Sequence, residues 1–351
     1  MNTIDPRAPE VGLLLGYGSI GRLHARALAG LAQRLVIVDS HPSARARAAL
    51  DHPSAVVHAT LAATDSEPGV GPHTLAVIAT WGPSHAELFE ALAARGVRRL
   101  LCEKPLATSV AAADTMVRRA DRDGIALTSH HYFRGSGLVA AFQRLARELN
   151  LGDPVAVVTN GGAACLVTNG LHWVDLASAL FGGGARAVVS TAHDDRINPR
   201  SADLGFYGGS AVWDFGDGRE LSLTFTNASS VYPMTHVHYR DAVVTLDYDY
   251  EVVVYRRDGD DVARSPAVTR TGPARQVAFK GQLPGVLDGP CALQDCLSRL
   301  WAGDTSPAPP TAALAALNGT IGALLAAREG RRIALPILPT SPEGREVWPI
   351  T

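Results

Sequence analysis

Leu13-Leu14-Leu15-Gly16-Tyr17-Gly18-Ser19-Ile20-Gly21 decides how this chain is read. An apolar run breaks into Gly-x-Gly-x-x-Gly, and a helical pattern through Leu23, Ala27 and Leu28 follows. A strand, a glycine turn and a helix N-terminus in that order aim backbone N–H groups at a pyrophosphate. Gly16 permits the tight turn, and Gly18 lets the backbone approach phosphate oxygens with no Cβ in the way. Gly21 lets helix and strand pack closely. Tyr17, Ser19 and Ile20 complete the cradle. Eighteen residues beyond Gly21, the run Leu35-Val36-Ile37-Val38 ends in Asp39. An acid at that distance suits a ribose with a free 2′-hydroxyl, hence NAD over NADP. Ser40 follows where an NADP site often has arginine; Arg45 and Arg47 keep NADP open as a lesser alternative.

Outward from this turn, strand-like runs alternate with helical patterns. The expected strands are 11–15, 35–38, 56–59, 75–79, 97–102 and 125–129; the expected helices are 20–31, 43–50, 84–95 and 110–123. This alternation predicts an α/β Rossmann domain over residues 1–130, a doubly wound parallel sheet with helices on both faces. In such sheets ligands lie beyond the carboxyl ends of the strands. That places Gly16, Asp39, Thr80, Trp81, Glu103 and Lys104 where a cofactor binds.

After about residue 150 the strands follow one another: 155–159, 187–191, 211–215, 220–226, 235–239, 243–247 and 251–256. One helix, 171–180, interrupts them, and two more, 289–301 and 311–328, close the chain. Residues 131–351 are therefore expected to form an α+β substrate-binding and oligomerisation domain with a mostly antiparallel open sheet. Its C-terminal helix is expected to pack back on the first domain.

The 351 residues carry a formal net charge of −2, which argues against a broad nucleic-acid surface. No uninterrupted apolar run approaches the ~20 residues that span a bilayer. The segment Met1–Glu10 lacks the basic-then-apolar order of a secretion signal. Cys102, Cys165, Cys291 and Cys296 form no Cys-x-x-Cys pair, and no Cys/His cluster has zinc-like spacing, so free thiols and no metal are expected. These features fit a cytoplasmic protein with no membrane partner. Lysine is scarce: Lys104 and Lys280 are the only two.

Four stretches, taken together, resemble the GFO/IDH/MocA oxidoreductase family: Gly16 to Gly21, Ala79-Thr80-Trp81-Gly82-Pro83-Ser84-His85, Cys102-Glu103-Lys104-Pro105-Leu106-Ala107, and Gly170-Leu171-His172-Trp173-Val174-Asp175-Leu176. Their order and spacing agree over nearly the whole chain. The resemblance implies that Lys104 reaches the nicotinamide edge and the reacting carbinol, and that the Lys104-Pro105 bond is cis. A lysine there can polarise a carbonyl or help an alcohol lose its proton. The resemblance also implies that His172 sits on a helix facing the nicotinamide; an imidazole ordinarily titrates near pH ~6.5, suited to proton exchange with a hydroxyl. Asp175, three residues on, shares a helix face with it. Thr80, Trp81, Pro83, His85 and Glu103 are expected to line the cofactor. Arg134, Asn169 and Asp175, with Lys104 and His172, are expected to hold substrate. Inositol dehydrogenase-like members have an aspartate four residues before the histidine; here the position is Thr168, which cannot stabilise an imidazolium as a carboxylate would.

The function expected is hydride transfer between nicotinamide C4 and a carbinol carbon of a sugar, aminosugar, nucleotide-sugar or cyclitol. The alternatives are an NAD-dependent glycosidase working by transient oxidation and a non-catalytic dinucleotide sensor. In similar proteins the outer face of the second sheet pairs with another subunit, so a homo-oligomer, dimer or tetramer, is expected.

Overall fold

The computed structural model describes residues 8–162, 164–193, 203–226, 228–247, 250–257, 276–306 and 308–351. The expectation for Met1–Glu10 therefore falls largely outside the described residues. The chain divides into two compact units: one of residues 1–136, 287–317 and 338–351, the other of residues 137–286 and 318–337.

The first unit carries a six-stranded parallel sheet in the order β3-β2-β1-β4-β5-β6. Its strands are β1 (Val11–Leu15), β2 (Arg34–Val38), β3 (Val56–His58), β4 (Thr74–Ile78), β5 (Arg99–Cys102) and β6 (Ala126–Ser129). The helices between them are α1 (Ser19–Leu31), α2 (Pro42–Asp51), α3 (His85–Ala94) and α4 (Val110–Asp123), with a short α5 (Tyr132–Gly135) after the sheet. This is the doubly wound order, reversing between β1 and β4. Leu13, Leu14 and Leu15 are buried on both sheet faces, as parallel strands covered by helices must be. The α4 boundaries follow local chemistry: the Ser109 hydroxyl accepts the Ala112 N–H, and Gly124, at φ 64°, ends the helix in the left-handed region. The third helix begins at His85, after a 3-10 turn over Gly82–Ser84, rather than at Ser84.

The second unit is built on nine strands in the order β14-β13-β12-β11-β7-β10-β9-β8-β15. They are β7 (Pro154–Gly161), β8 (Ala187–Ser190), β9 (Gly209–Gly216), β10 (Arg219–Phe225), β11 (Met234–Tyr239), β12 (Ala242–Leu246), β13 (Glu251–Arg256), β14 (Gln276–Gln282) and β15 (Ile333–Ala334). All neighbours pair antiparallel except β7 and β10, which run parallel. Helices α6 (Leu138–Glu148) and α7 (Gly170–Phe181) belong to this unit. Helix α6 and strand β14 are absent from the sequence reading. Glycines at 135 and 137 mask the start of α6, although Leu138, Ala141, Phe142 and Leu145 bury one helical face. Strand β14 is exposed or half-buried throughout, so it lacks the alternation by which strands are read.

Helix α8 (Gly289–Trp301) returns to the first unit. Its Leu297 and Leu300 join Leu14, Leu28, Ile37 and Val77 in one core cluster. Helix α9 (Pro310–Glu329) is 20 residues long with a mean hydropathy of 1.4, enough on length and composition to cross a bilayer. Two-thirds of that stretch (67%) is buried within the protein, as a core helix is.

A buried hydrogen bond crosses the core of the second unit. Trp213 is fully buried, and its indole N–H donates to the Gly319 carbonyl at 2.8 Å. Trp213→Phe keeps most of the ring packing but removes this donor, leaving the carbonyl only its place in the α9 ladder. We expect a loss of ~0.5–1.5 kcal/mol in urea unfolding; an unchanged midpoint would show that the bond contributes nothing.

Candidate functional site

The carboxyl edge of the parallel sheet gathers the predicted cofactor residues. Main-chain bonds extend the ladder past the strand ends: Gly16 N–H to Val38 O, Asp39 N–H to His58 O, Ala79 N–H to Leu15 O and Glu103 N–H to Ile78 O. Each loop therefore starts from a fixed point. Gly16 has φ 95°, and a Cβ on it would lie 2.7 Å from the Ala79 carbonyl oxygen. A Cβ on Gly21 would collide with the Gly16 carbonyl oxygen. At Gly18 nothing lies within 4 Å, so the turn is open there. Gly18 is also the N-cap of α1, and no side chain caps that helix. The first-turn N–H groups of α1 are thus available to an anion, which is what a pyrophosphate cradle requires. Ser19 is exposed and Ile20 half-buried at the same turn.

Asp39 stands directly after β2, beside the glycine turn. Its Oδ2 accepts the Tyr17 N–H at 2.7 Å and its Oδ1 accepts the His41 N–H at 2.8 Å, which fixes the carboxylate beside the glycine turn. The two nearby arginines both have partners, Arg45 on the Asp39–Ser40 main chain itself. Arg45 Nη1 donates to the main-chain carbonyls of Asp39 and Ser40, and Arg47 pairs with Asp51 at 3.0 Å. Tyr17 turns its ring inward, and its hydroxyl donates to Asp51 at 3.0 Å. At the end of β4, Thr80 is half-buried, while Trp81 is 48% exposed and Pro83 is exposed. Lys104 is half-buried, and its bond to Pro105 is cis.

Two residues expected to line the cofactor turn inward instead. His85 is fully buried, its Nδ1 2.8 Å from the Pro105 oxygen and its Nε2 3.0 Å from the Thr80 oxygen. Burial lowers its pKa against the pull of those two carbonyls and of Glu103. The Glu103 carboxylate is buried against His24, with Oε1 2.7 Å from His24 Nε2. Burial raises the Glu103 pKa, but the His24 hydrogen bond and the charge of Lys104 outweigh it. The carboxyl is held well below the ordinary carboxylate range. His24 escaped the sequence reading. Its signal was its place one turn before Leu28, on the buried side of α1.

Within the second unit, the substrate candidates lie at the start of α7. Asn169 Oδ1 accepts the Cys165 N–H at 2.9 Å, and the Thr168 N–H donates to Cys165 Sγ at 3.2 Å, closing the turn that launches the helix. His172 is half-buried and Asp175 fully buried. Trp173 anchors α7 to its own sheet: the indole N–H donates to Thr235 Oγ1 at 2.7 Å, and Thr235 meets Thr159 at 3.0 Å. Arg134 lies on α5 of the first unit and is half-buried. Among the described residues, no group of three or more His, Cys, Asp or Glu side chains is placed to hold a metal ion.

His130, fully buried 3.7 Å from Glu103, gives a pH test of this cluster. Burial, opposed by the Glu103 carboxylate, pushes its imidazole down to about 4. The unfolded chain therefore binds a proton that the folded one refuses between pH ~6.5 and ~4. Stability from this group is full above that window and falls as pH drops through it, by ~1 kcal/mol per unit. In urea titrations at stepped pH, His130→Gln should flatten the slope; an unaltered slope would assign it to other groups.

Residues 12–131 match the GFO/IDH/MocA family model, an oxidoreductase family with an NAD-binding Rossmann fold. The chain is 30% identical to a D-apiose dehydrogenase of Paraburkholderia graminis over 208 residues, 53% of this chain and 54% of that protein. The match thus spans about half the length of this curated relative. Among solved structures, levoglucosan dehydrogenase in complex with NADH aligns at 16% identity over 93% of this chain and 99% of its own, with a TM-score of 0.71. The WlbA dehydrogenase of Bordetella pertussis, in complex with NADH and UDP-GlcNAcA, aligns at 20% identity over 93% and 99%, with a TM-score of 0.69. At those identities the likeness is one of fold, and it extends over both units. The glycine turn, Asp39 and, Val11 apart, the parallel sheet all lie within residues 12–131, the stretch that matches the GFO/IDH/MocA oxidoreductase family.

Proposed function

We propose that the protein is an NAD-dependent dehydrogenase acting on a carbinol carbon of a sugar, aminosugar, nucleotide-sugar or cyclitol, or reducing the corresponding ketone. The observation that carries this reading is the carboxyl edge of the first unit. There an uncapped helix N-terminus, a fixed Asp39 carboxylate and Lys104 follow strands β1, β2 and β5 of one parallel sheet. The names of the relatives supply the substrate class: D-apiose, levoglucosan and a UDP-sugar.

Bound NAD would supply the nicotinamide C4 that accepts or returns the hydride. Gly16 to Gly21 hold the pyrophosphate against the α1 N–H groups. Asp39 accepts hydrogen bonds from the adenosine ribose, and a 2′-phosphate would meet its negative charge, so NAD is preferred to NADP. Lys104 holds the substrate hydroxyl and moves its proton at Nζ. His172 is the second proton-handling residue, and Arg134, Asn169 and Asp175 are the remaining substrate candidates. With Thr168 where some relatives have an aspartate, Lys104 carries the larger share of the proton transfer.

We read the protein as cytoplasmic and homo-oligomeric. Its four cysteines are all free, which fits a reducing compartment. Tyr255 and its cross-strand neighbour Val277 are 39% and 55% exposed on one face of the nine-stranded sheet, an apolar surface suited to a second copy.

The test is a panel of free and nucleotide-linked sugars and cyclitols with NAD and NADP, followed by reduced-nicotinamide absorbance. A substrate-dependent rise supports the reading, whereas glycoside cleavage without net absorbance change overturns it. Lys104→Ala should cut kcat by ~10²–10⁴-fold while NADH still binds; near wild-type turnover would remove Lys104 from the mechanism. Asp39→Ala should weaken NAD binding far more than NADP binding, and equal losses would remove the basis for the preference.

A further inference from the structure

A carboxylate buried without purpose is costly, and an apolar side chain at that place would avoid the cost. Glu103 is only 4% exposed and sits among three buried imidazoles. It is faced by His24 from α1, His85 from α3, His130 from the end of β6, Cys296 from α8, and Cys102 and Lys104 from its own strand and turn. Its two oxygens do different work. Oε1 is gripped by His24 Nε2 at 2.7 Å. Oε2 accepts the main-chain N–H of Lys104 at 3.2 Å. His24 Nδ1 has no hydrogen-bond partner among the described residues, so the contact with Glu103 is the one that holds the ring. On the far side of Lys104, the Pro105 carbonyl meets His85 Nδ1 at 2.8 Å, and the same ring reaches the Thr80 carbonyl at 3.0 Å.

We propose that His24 is a positioning residue for Lys104: it holds the Glu103 carboxylate, which fixes the lysine main chain from one side while His85 fixes the next carbonyl from the other. A lysine side chain has long rotamer freedom, so its charged end is placed only as well as its backbone is. The clamp also gives Lys104 a fixed negative neighbour that favours its charged form. The His85 ring lies within hydrogen-bond reach of both the Thr80 and the Pro105 carbonyls, and in its neutral form it donates to one of them at a time.

This inference rests on the reading of Lys104 as the proton-handling group, so its test needs a readout that does not depend on turnover. With only two lysines in the chain, reductive methylation using ¹³C-formaldehyde gives one NMR resonance for each, apart from the terminal amine. Lys280, 3.2 Å from Glu251, is the internal reference. In Glu103→Gln, the Lys104 resonance should move and titrate at lower pH by ~0.5 unit or more, while Lys280 stays in place. In His24→Leu the Lys104 resonance should also move, and His24→Gln, which restores a donor, should bring it part of the way back. With a substrate the wild type oxidises, kcat should fall by ~10–10²-fold, with KM and NADH affinity within about threefold. An unmoved Lys104 resonance with an unmoved midpoint in the folded variants overturns the clamp, as does an unchanged kcat. If His24→Leu does not fold, the isosteric Glu103→Gln decides alone. If the wild type oxidises nothing in the panel, the proposed function fails, and the NMR titration still decides the clamp.

Discussion

No side chain fits between the start of α1 and the end of β1. The collision that any Cβ on Gly21 would make with the Gly16 carbonyl sets how closely the first helix approaches the sheet. That approach brings the α1 N–H groups over the strand end, and the strand end is tied to its neighbours through Val38, His58, Leu15 and Ile78. The loops that carry Asp39, Trp81 and Lys104 all inherit their position from this one close contact. The chemistry proposed for the protein is therefore a consequence of a backbone arrangement, to which side chains are added at strand ends.

The parallel sheet was legible because its signals are local. Leu13 to Leu15 and Val36 to Val38 are continuous apolar runs, Gly-x-Gly-x-x-Gly needs only nearest neighbours, and Asp39 stands at a fixed spacing. Boundaries were read to within a residue or two, and the third helix began late because Pro83 and Ser84 form a 3-10 turn first. Strand β14 was invisible because an exposed edge strand has no reason to alternate. The parallel pairing of β7 with β10 was equally hidden. Partner choice in a sheet depends on connections made far along the chain, and alternation within one strand does not report it.

Site residues divide the same way. Asp39 sits at the strand end where the spacing put it, its carboxylate held by the Tyr17 and His41 N–H groups. Glu103 and His85 were chosen because they adjoin the cofactor edge, and adjacency along the chain does not say which way a side chain turns. Both turn inward, toward His24 and toward two carbonyls. A histidine at the fourth position beyond Ile20 is unremarkable in a helix until its partner, 79 residues away, is known.

Leu297 and Leu300 of α8 complete the core that Leu14, Leu28 and Ile37 begin. This has a consequence for biosynthesis. The nucleotide-binding sheet leaves the ribosome well before α8, so one patch of its apolar surface stays uncovered until α8 has been made. The whole nine-stranded sheet, apart from β15, must be translated in between. Contacts of such sequence separation are slow to form, and their open faces are where chaperones and aggregation compete. The parallel sheet thus closes long after its own strands are made, and a ribosome stalled short of residue 297 would hold a dinucleotide fold with an unfinished core.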